Sequence, residues 1–492
     1  MSLILAIDQS TSGTKAVLFG RSGKVLDKAS REHRQIYPQP GWVEHDAEEI
    51  WKNVLVVIGE IAKRNRAKLS RLGGLSIANQ RETILTFDRA TGKPLHNALV
   101  WQDRRGDPIC QKLRAQGREA FVRHATGLKI DTYFSASKLK WLVAEKPALA
   151  AKLKSGAAVV GTIDTYLIHR LTGGKVFATD FTNASRTLLF DIAKLRWDEK
   201  LCKMFGVPPH SLAEVRESQA QFGETDANGI LPRRIPIVGV IGDSQASLFA
   251  QRCYRPGAAK ATFGSGTSVL LNIGGKFRPP KKDAVTALAW VLSGKPTYAA
   301  EGIINFSAAT ISWLQNQLGL IGKSSEVEKL ATSVKDNGGV YLVPAFAGLS
   351  APYWSPQARA AILGMTGFTS KAHIARAAEE SIAYQIRDVL DAMRAGSKIK
   401  VRNLHADGGP TRDRFLMQFT ADITGVNLII SEVAESSAWG AAMNGLLGLG
   451  VYPSLDAFAN VPRRQTIFRP RIKAGAVKKL HDGWRAAVKR IL

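Results

Sequence analysis

At 492 residues the chain is longer than one hydrophobic core usually organises, so two large domains are expected. A composition of 45% hydrophobic and 22% charged residues is that of a globular enzyme and excludes a disordered tail or scaffold. The formal charge of +27 would suit a basic, non-catalytic nucleic-acid-binding protein or an anionic-membrane contact, but Lys and Arg are spread along the chain, concentrating only at 63–71 and 463–490, so a solvated basic surface is expected.

In chain order, the apolar run 3–7 ends at Asp8, too short and without the flanks of a signal peptide, and reads as a strand. Turn residues separate it from strands at 14–19 and 24–26. A helix is predicted over 46–63 from an acidic cap, strands at 74–78, 84–87 and 99–101, and helices at 106–122 and 135–144. Residues 235–241 form a buried-strand pattern running into Gly242-Asp243-Ser244-Gln245 and a helix at 246–250. The turn Tyr254-Arg255-Pro256-Gly257 marks a boundary, dividing the chain into domains 1–250 and 251–492. Beyond it the opening grammar returns: strand 260–263, the turn Gly264-Ser265-Gly266-Thr267-Ser268, strand 269–273. Strands at 340–343 and 401–406 flank a long helix at 372–393, and an amphipathic basic surface helix closes the chain. Such alternation predicts two α/β domains facing across a cleft.

Three features carry chemistry. Ser10-Thr11-Ser12-Gly13-Thr14 and Gly264-Ser265-Gly266-Thr267-Ser268 are hydroxyl- and glycine-rich turns whose N–H groups can point at an anion; each alone suits an ordinary hairpin, and their pairing points to phosphate. Asp8, before the first turn, sits where a magnesium ion bridging nucleotide oxygens needs a hard carboxylate, or where a turn needs a cap. Asp243 ends a buried strand, where ligands of open α/β sheets collect; there it can take a hydroxyl proton during phosphoryl transfer, or cap a helix. Arg81 and Glu82, with Trp101 and Tyr133, could read a polyhydroxylated ligand, or form an ion pair and core packing.

Other motifs fail. Ser244 mimics a hydrolase nucleophile without a partner histidine or oxyanion loop, and Gly322-Lys323-Ser324 lacks the earlier glycine and the strand of a P-loop. Gly264-Ser265-Gly266 has Val269 where a dinucleotide fingerprint needs glycine. Cys110, Cys202 and Cys253 are distant and without metal-ligand spacing, which suits a reducing compartment; with no apolar run of membrane-spanning length, a cytoplasmic protein is expected.

From residue 3 to about 490 the chain resembles the FGGY carbohydrate kinase family. The resemblance rests on 35–46, Asn79-Gln80-Arg81-Glu82-Thr83, Thr182-Asn183-Ala184-Ser185-Arg186-Thr187 and 343–354, with 133–145 and 360–380 close to the two family signatures. It implies two ribonuclease-H-like domains of the actin and sugar-kinase type around a central cleft, binding ATP and Mg²⁺. By the family's pattern Thr11, Ser12, Gly13, Lys15 and Ser265 meet the nucleotide phosphates and Asp8 serves the magnesium. Gly408, Gly409 and Asp413 border the adenosine, with Ala308 and Ser312 nearby, although Ala308, Ser312 and Asp413 replace the usual Gly, Gln and Asn. Arg81, Glu82, Trp101, Tyr133 and Asp243 match the polyol-binding positions, with Asp243 as the base. Ser244 and Ser268 replace a Gln and a Phe usual in glycerol-specific members, which enlarges and hydrates the pocket. Glycerol is therefore the first expected substrate, and a four- or five-carbon polyol such as erythritol the alternative. The resemblance further implies a homodimer or tetramer without nucleic-acid or membrane partners. Residues 229–234 keep little of the loop through which some relatives bind a sugar bisphosphate, so that control is not expected.

Overall fold

A computed structural model describes residues 3–280, 285–433 and 435–492. Two large sheets repeat one topology. In the first, Leu3–Gln9, Gly13–Phe19 and Val25–Glu32 form an antiparallel meander; Leu72–Asn79 and then Ile235–Gly242 add in parallel beyond Leu3–Gln9, and Gln221–Thr225 closes the edge antiparallel. In the second, Ala258–Phe263 and Thr267–Gly274 form the hairpin, Lys295–Ile304 and Val285–Leu292 extend it antiparallel, Asn403–Gly408 and Asn427–Ser431 add in parallel, and Gln465–Phe468 closes the edge.

Every residue of Leu3–Gln9 is buried because helices cover both faces of its sheet, so the strand reads as a continuous run rather than an alternation. One cover is the helix Ala47–Arg64, begun by the Asp46 carboxylate accepting from the Glu48 N–H. The other is Ser436–Gly448, which belongs to the second half of the chain yet packs on Leu3–Gln9, Leu72–Asn79 and Ile235–Gly242. Ser436–Gly448 also lies against the helix Asp243–Ala250, so closely that a Cβ on Gly440 would stand 1.9 Å from the Ala246 carbonyl. Asp243–Ala250 is thus clamped between the two sheets, with Phe249 sharing a core with Ile4, Leu270 and Trp439.

A four-stranded sheet of Glu44–His45, Ala98–Leu99, Ile84–Asp88 and Ala158–Thr162 lies beside the first large sheet and carries Trp101 just past its Ala98–Leu99 strand. The helix Ser135–Glu145 follows Tyr133. Several boundaries differ from the sequence expectation. The single helix expected over 106–122 is two, Asp107–Ala115 and Glu119–Thr126, because Gly117 turns through φ +70° and Arg118 bonds back to the Leu113 carbonyl. The strand expected at 99–101 stops at Leu99, since Trp101 is drawn into a turn by its bond to Thr11. The third strand runs to Glu32, and the strand expected at 401–406 is Asn403–Gly408, which brings Gly408 into register with Phe263. Ala474–Lys489 is the terminal helix, with only His481, Trp484, Ala487 and Val488 buried. Among the described residues no helix is long and apolar enough to cross a membrane.

Candidate active site

Both hairpin turns are built to leave amides unspent. In the first, the Ser10 N–H and hydroxyl both donate to the Gly13 carbonyl, and the Thr11 and Ser12 N–H groups donate to nothing among the described residues. In the second, the Gly264 N–H donates to the Gly266 carbonyl, while the Gly264 and Ser265 carbonyls accept from Ala308 and from Ser307 and Ala309. There the Ser265 and Gly266 amides stay unpaired among the described residues. Two consecutive free amides at each turn make two small anion cradles.

Asp8 and Lys15 face each other across the first hairpin. Burial pushes the Asp8 carboxyl up to about 7, Lys15 works against that rise, and Asp243 and Glu435 add to it, which puts three carboxylates in one field. Lys15 Nζ lies 2.9 Å from one Glu435 oxygen and Lys28 Nζ 3.3 Å from the other. Glu435 precedes the helix Ser436–Gly448 at φ +53°. Lys15 therefore already has a carboxylate partner that an incoming phosphate would have to replace. Among the described residues no three His, Cys, Asp or Glu side chains could hold a metal by themselves. A magnesium ion arriving with phosphate oxygens and its own waters needs only one or two carboxylates, and Asp8, which makes no hydrogen bond or ion pair with any described residue, fits that demand.

Asp243 opens its helix rather than capping it. Gly242 holds the cap position without a side-chain bond, and Asp243 Oδ1 accepts from the Ser244 N–H at 2.6 Å. Arg81 Nε approaches Asp243 Oδ1 to 3.3 Å. The Asp243 side chain is 36% exposed beside an Arg81 that is only 4% exposed, so the carboxylate is the member of the pair a substrate can reach.

Behind Arg81 stands a group that sequence reasoning missed. Arg81 Nη1 donates to Glu301 Oε1 at 2.8 Å, and Glu301 Oε2 lies 2.5 Å from Arg186 Nη2. Arg186 Nε donates to Glu82 Oε1 at 2.7 Å, and Glu82 Oε1 lies 3.6 Å from Arg81 Nε, closing a ring of alternating charge. Burial opposes the charge on Arg81, and Glu301 and then Glu82 more than restore it, holding the guanidinium above its ordinary range. Burial likewise raises Glu301, but Arg186 and Arg81 bring it below the usual carboxylate range. The one signal for Glu301 was an acid in the middle of a buried strand, which demands a partner.

Trp101 and Tyr133 form a wall, ring centroids 5.3 Å apart, and the Trp101 indole N–H donates to Thr11 Oγ1 at 2.8 Å. That bond ties the aromatic wall to the first turn. Ser244 and Ser268 meet, hydroxyl to hydroxyl, at 3.3 Å, joining the Asp243 helix to the second hairpin. Ser247 donates to Asp407 at 2.7 Å in the same seam.

Of the remaining predicted residues, Ala308 is bonded onto the second turn, and Gly409 follows Gly408, whose φ of +100° lets the backbone pass where a Cβ would stand 1.9 Å from the Phe263 carbonyl. Ser312 is exposed one turn into the helix Ala309–Asn316. Asp413 caps the helix Arg414–Thr424 through the Leu416 N–H at 2.7 Å. Beside it Glu379 is pushed up to about 10, by burial first and by Asp413 next. Glu379 is thus a neutral carboxyl.

The chain matches the family model described as FGGY family of carbohydrate kinases, N-terminal domain, over residues 3–250, and its C-terminal counterpart over 260–449. It is 44% identical to glycerol kinase 1 of Thermotoga maritima over 489 residues, 99% of each chain. It is 46% identical to the glycerol kinase of Carboxydothermus hydrogenoformans over 490 residues, 99% of this chain and 97% of that one. The structure superposes on the crystal structure of Plasmodium falciparum glycerol kinase with ADP at a TM-score of 0.95 and 36% identity, covering 100% of this chain and 98% of that one. A ligand-bound xylulose kinase from Lactobacillus acidophilus shares the fold at a TM-score of 0.89 and 20% identity, over 100% of this chain and 98% of that one.

Proposed function

The chain belongs to the FGGY family of carbohydrate kinases, and on that premise we propose that it transfers the γ-phosphoryl group of ATP to a terminal hydroxyl of glycerol. The observation that carries the reading is the placement of Asp243: a reachable carboxylate, steered by Arg81, at the seam where the Asp243–Ala250 helix meets the second hairpin.

In this mechanism the hydroxyl oxygen lies against Asp243 and in line with the γ-phosphorus. As the new O–P bond forms and the bond to the β,γ-bridging oxygen breaks, Asp243 accepts the hydroxyl proton and ADP leaves. The free amides of Thr11, Ser12, Ser265 and Gly266 meet charge spread over the phosphoryl oxygens, with Ser265 and Gly13 shaping the turns and Lys15 exchanging Glu435 for phosphate. The magnesium carried in with ATP would sit at Asp8 and neutralise the bridging oxygens. Arg81 and Glu82 hold the polyol hydroxyls, and Trp101 and Tyr133 flank its carbons. Ala308, Ser312, Gly409 and Asp413 border the nucleoside. Residues 1–250 form the substrate and metal side and 251–492 the nucleotide side, a division supported by the repeated sheet topology. Three free, buried cysteines support a cytoplasmic setting, and light scattering of the purified protein checks the homo-oligomer expected of it.

One observation favours a second reading. Ser244 and Ser268 are short and hydrated in character, and their contact beside Asp243 leaves the far end of the polyol pocket without an aromatic or amide stop. A four- or five-carbon polyol fits that space. An ADP-release assay over glycerol, erythritol, threitol, ribitol and xylitol decides: the highest kcat/KM with glycerol supports the first reading, and the highest with a longer polyol replaces it with the second.

A further inference from the structure

Arg81 and Glu82 each use only part of their capacity within the charge ring. Arg81 spends Nη1 on Glu301 and Gln245 and turns Nε to Glu82 and Asp243, leaving Nη2 without a partner among the described residues. Glu82 spends Oε1 on Arg186 and Arg81, leaving Oε2 likewise free. One free donor and one free acceptor, on adjacent residues, match a pair of polyol hydroxyls. Which atoms remain free is decided by the two members of the ring that face no ligand, Arg186 and Glu301, both fully buried.

Glu301 also comes from the other half of the chain. It lies on Lys295–Ile304 of the second sheet, in register with Leu270 of the hairpin that carries Ser268, whereas Arg81, Glu82 and Arg186 all belong to the first half. A displacement of the second hairpin relative to Asp243 therefore pulls on Arg81 through a charge-assisted bond, not only through packing.

Resting on the kinase reading above, we infer that Glu301, with Arg186, is a positioning residue for phosphoryl transfer: it locks the Arg81–Glu82 pair in the orientation that binds the polyol and sets Asp243, and it makes that orientation depend on the two halves being seated together. A misplacement on the scale of an ångström suffices to cost about 10²-fold in rate.

The test compares Glu301→Gln, which keeps shape and removes charge, with the double variant Glu301→Gln/Arg186→Gln, which removes one charge of each sign and so keeps the ring balanced in case the single variant folds poorly. Each is assayed for kcat and for both KM values alongside thermal melting. Expected for folded variants is a loss of about 10²-fold in kcat/KM for the polyol, with the KM for ATP unmoved. Adding Glu301→Gln to Arg81→Gln should then cost little more than Arg81→Gln alone, because both act through one group. A purely structural role would instead lower the melting temperature and leave the kinetics of the folded fraction, including the KM split, as in the wild type. That result, or full additivity with Arg81→Gln, overturns the inference while an active wild type leaves the kinase reading standing. A wild type that phosphorylates no polyol overturns both.

Discussion

The turn after Leu3–Gln9 and the turn after Ala258–Phe263 occupy the same place in two sheets of one topology, and both leave two amides free. Their side chains differ. The pair in register just before the first turn is Asp8 opposite Lys15; the corresponding pair in the second hairpin is Thr262 opposite Ser268. Backbone cradles for phosphate come with the fold in both halves, whereas charge that can hold a metal sits only in the first. The second half contributes hydroxyls, a small pocket lining and, through Glu301, a buried counter-charge. A duplicated scaffold has divided its labour by changing a few side chains at equivalent positions.

The largest way to test that division is at Asp243, which lies between the two cradles. Asp243→Asn keeps the volume and removes the proton acceptor, so kcat with the best polyol should fall by about 10²–10⁴-fold while MgATP still binds. Turnover near the wild-type level would remove Asp243 from its role and leave the cradles without a reaction to serve. Next in size is Asp8→Asn, expected to lower kcat/KM for MgATP by about 10²–10³-fold through loss of the carboxylate beside the phosphates. Equal damage to the KM for ATP from the second hairpin's Ser268→Ala would break the comparison.

What could be read in advance follows the same line between local and distant. The two hairpins, Asp8 and Asp243 were legible because a turn after a short apolar strand is written in adjacent residues. The likeness of the halves was visible for that reason too. Glu301 was not, because Arg81 lies 220 positions away and the strand that carries the acid had no place among the expected elements. Arg186 was seen only as part of a polar segment; nothing local says that its guanidinium spans from Glu82 to Glu301. Nor could the sequence place Ser436–Gly448 on the first sheet, since that packing depends on Gly440 passing the Ala246 carbonyl. The helix expected over 106–122 failed on one glycine whose left-handed turn is as common inside loops as at helix ends.

Glycines sharpen the comparison at the level of stability. A Cβ on Gly13 would stand 2.7 Å from the Arg31 carbonyl, and one on Gly408 only 1.9 Å from the Phe263 carbonyl, where the backbone is also at φ +100°. Gly408→Ala should cost at least about 1–3 kcal/mol from the backbone conformation alone, with the overlap in addition. Gly13→Ala should cost less, because its conformation suits any residue and a small shift of the neighbouring strand relieves the contact. Thermal melting of both variants measures the difference; the reverse order would mean that the second cradle is the more yielding one.

The smallest effect should come from the seam between the halves. Ser244 and Ser268 share one hydroxyl contact of 3.3 Å, so Ser268→Ala leaves a gap of a single oxygen and an unpaired Ser244 hydroxyl that water can reach, since both side chains are partly exposed. The fold has little reason to respond, and the charge ring is untouched. What changes is the lining beside Asp243: one hydroxyl fewer to hydrogen-bond the distal end of a long polyol, with no change near C1 where transfer occurs. The ratio of kcat/KM for xylitol to that for glycerol should fall by about tenfold or less, with both KM values for ATP unmoved. A fall in that ratio places Ser268 at the pocket's distal end and makes the second hairpin the half that measures substrate length. An unchanged ratio would assign length discrimination to the first half, where Arg81, Glu82 and the Trp101–Tyr133 wall already stand.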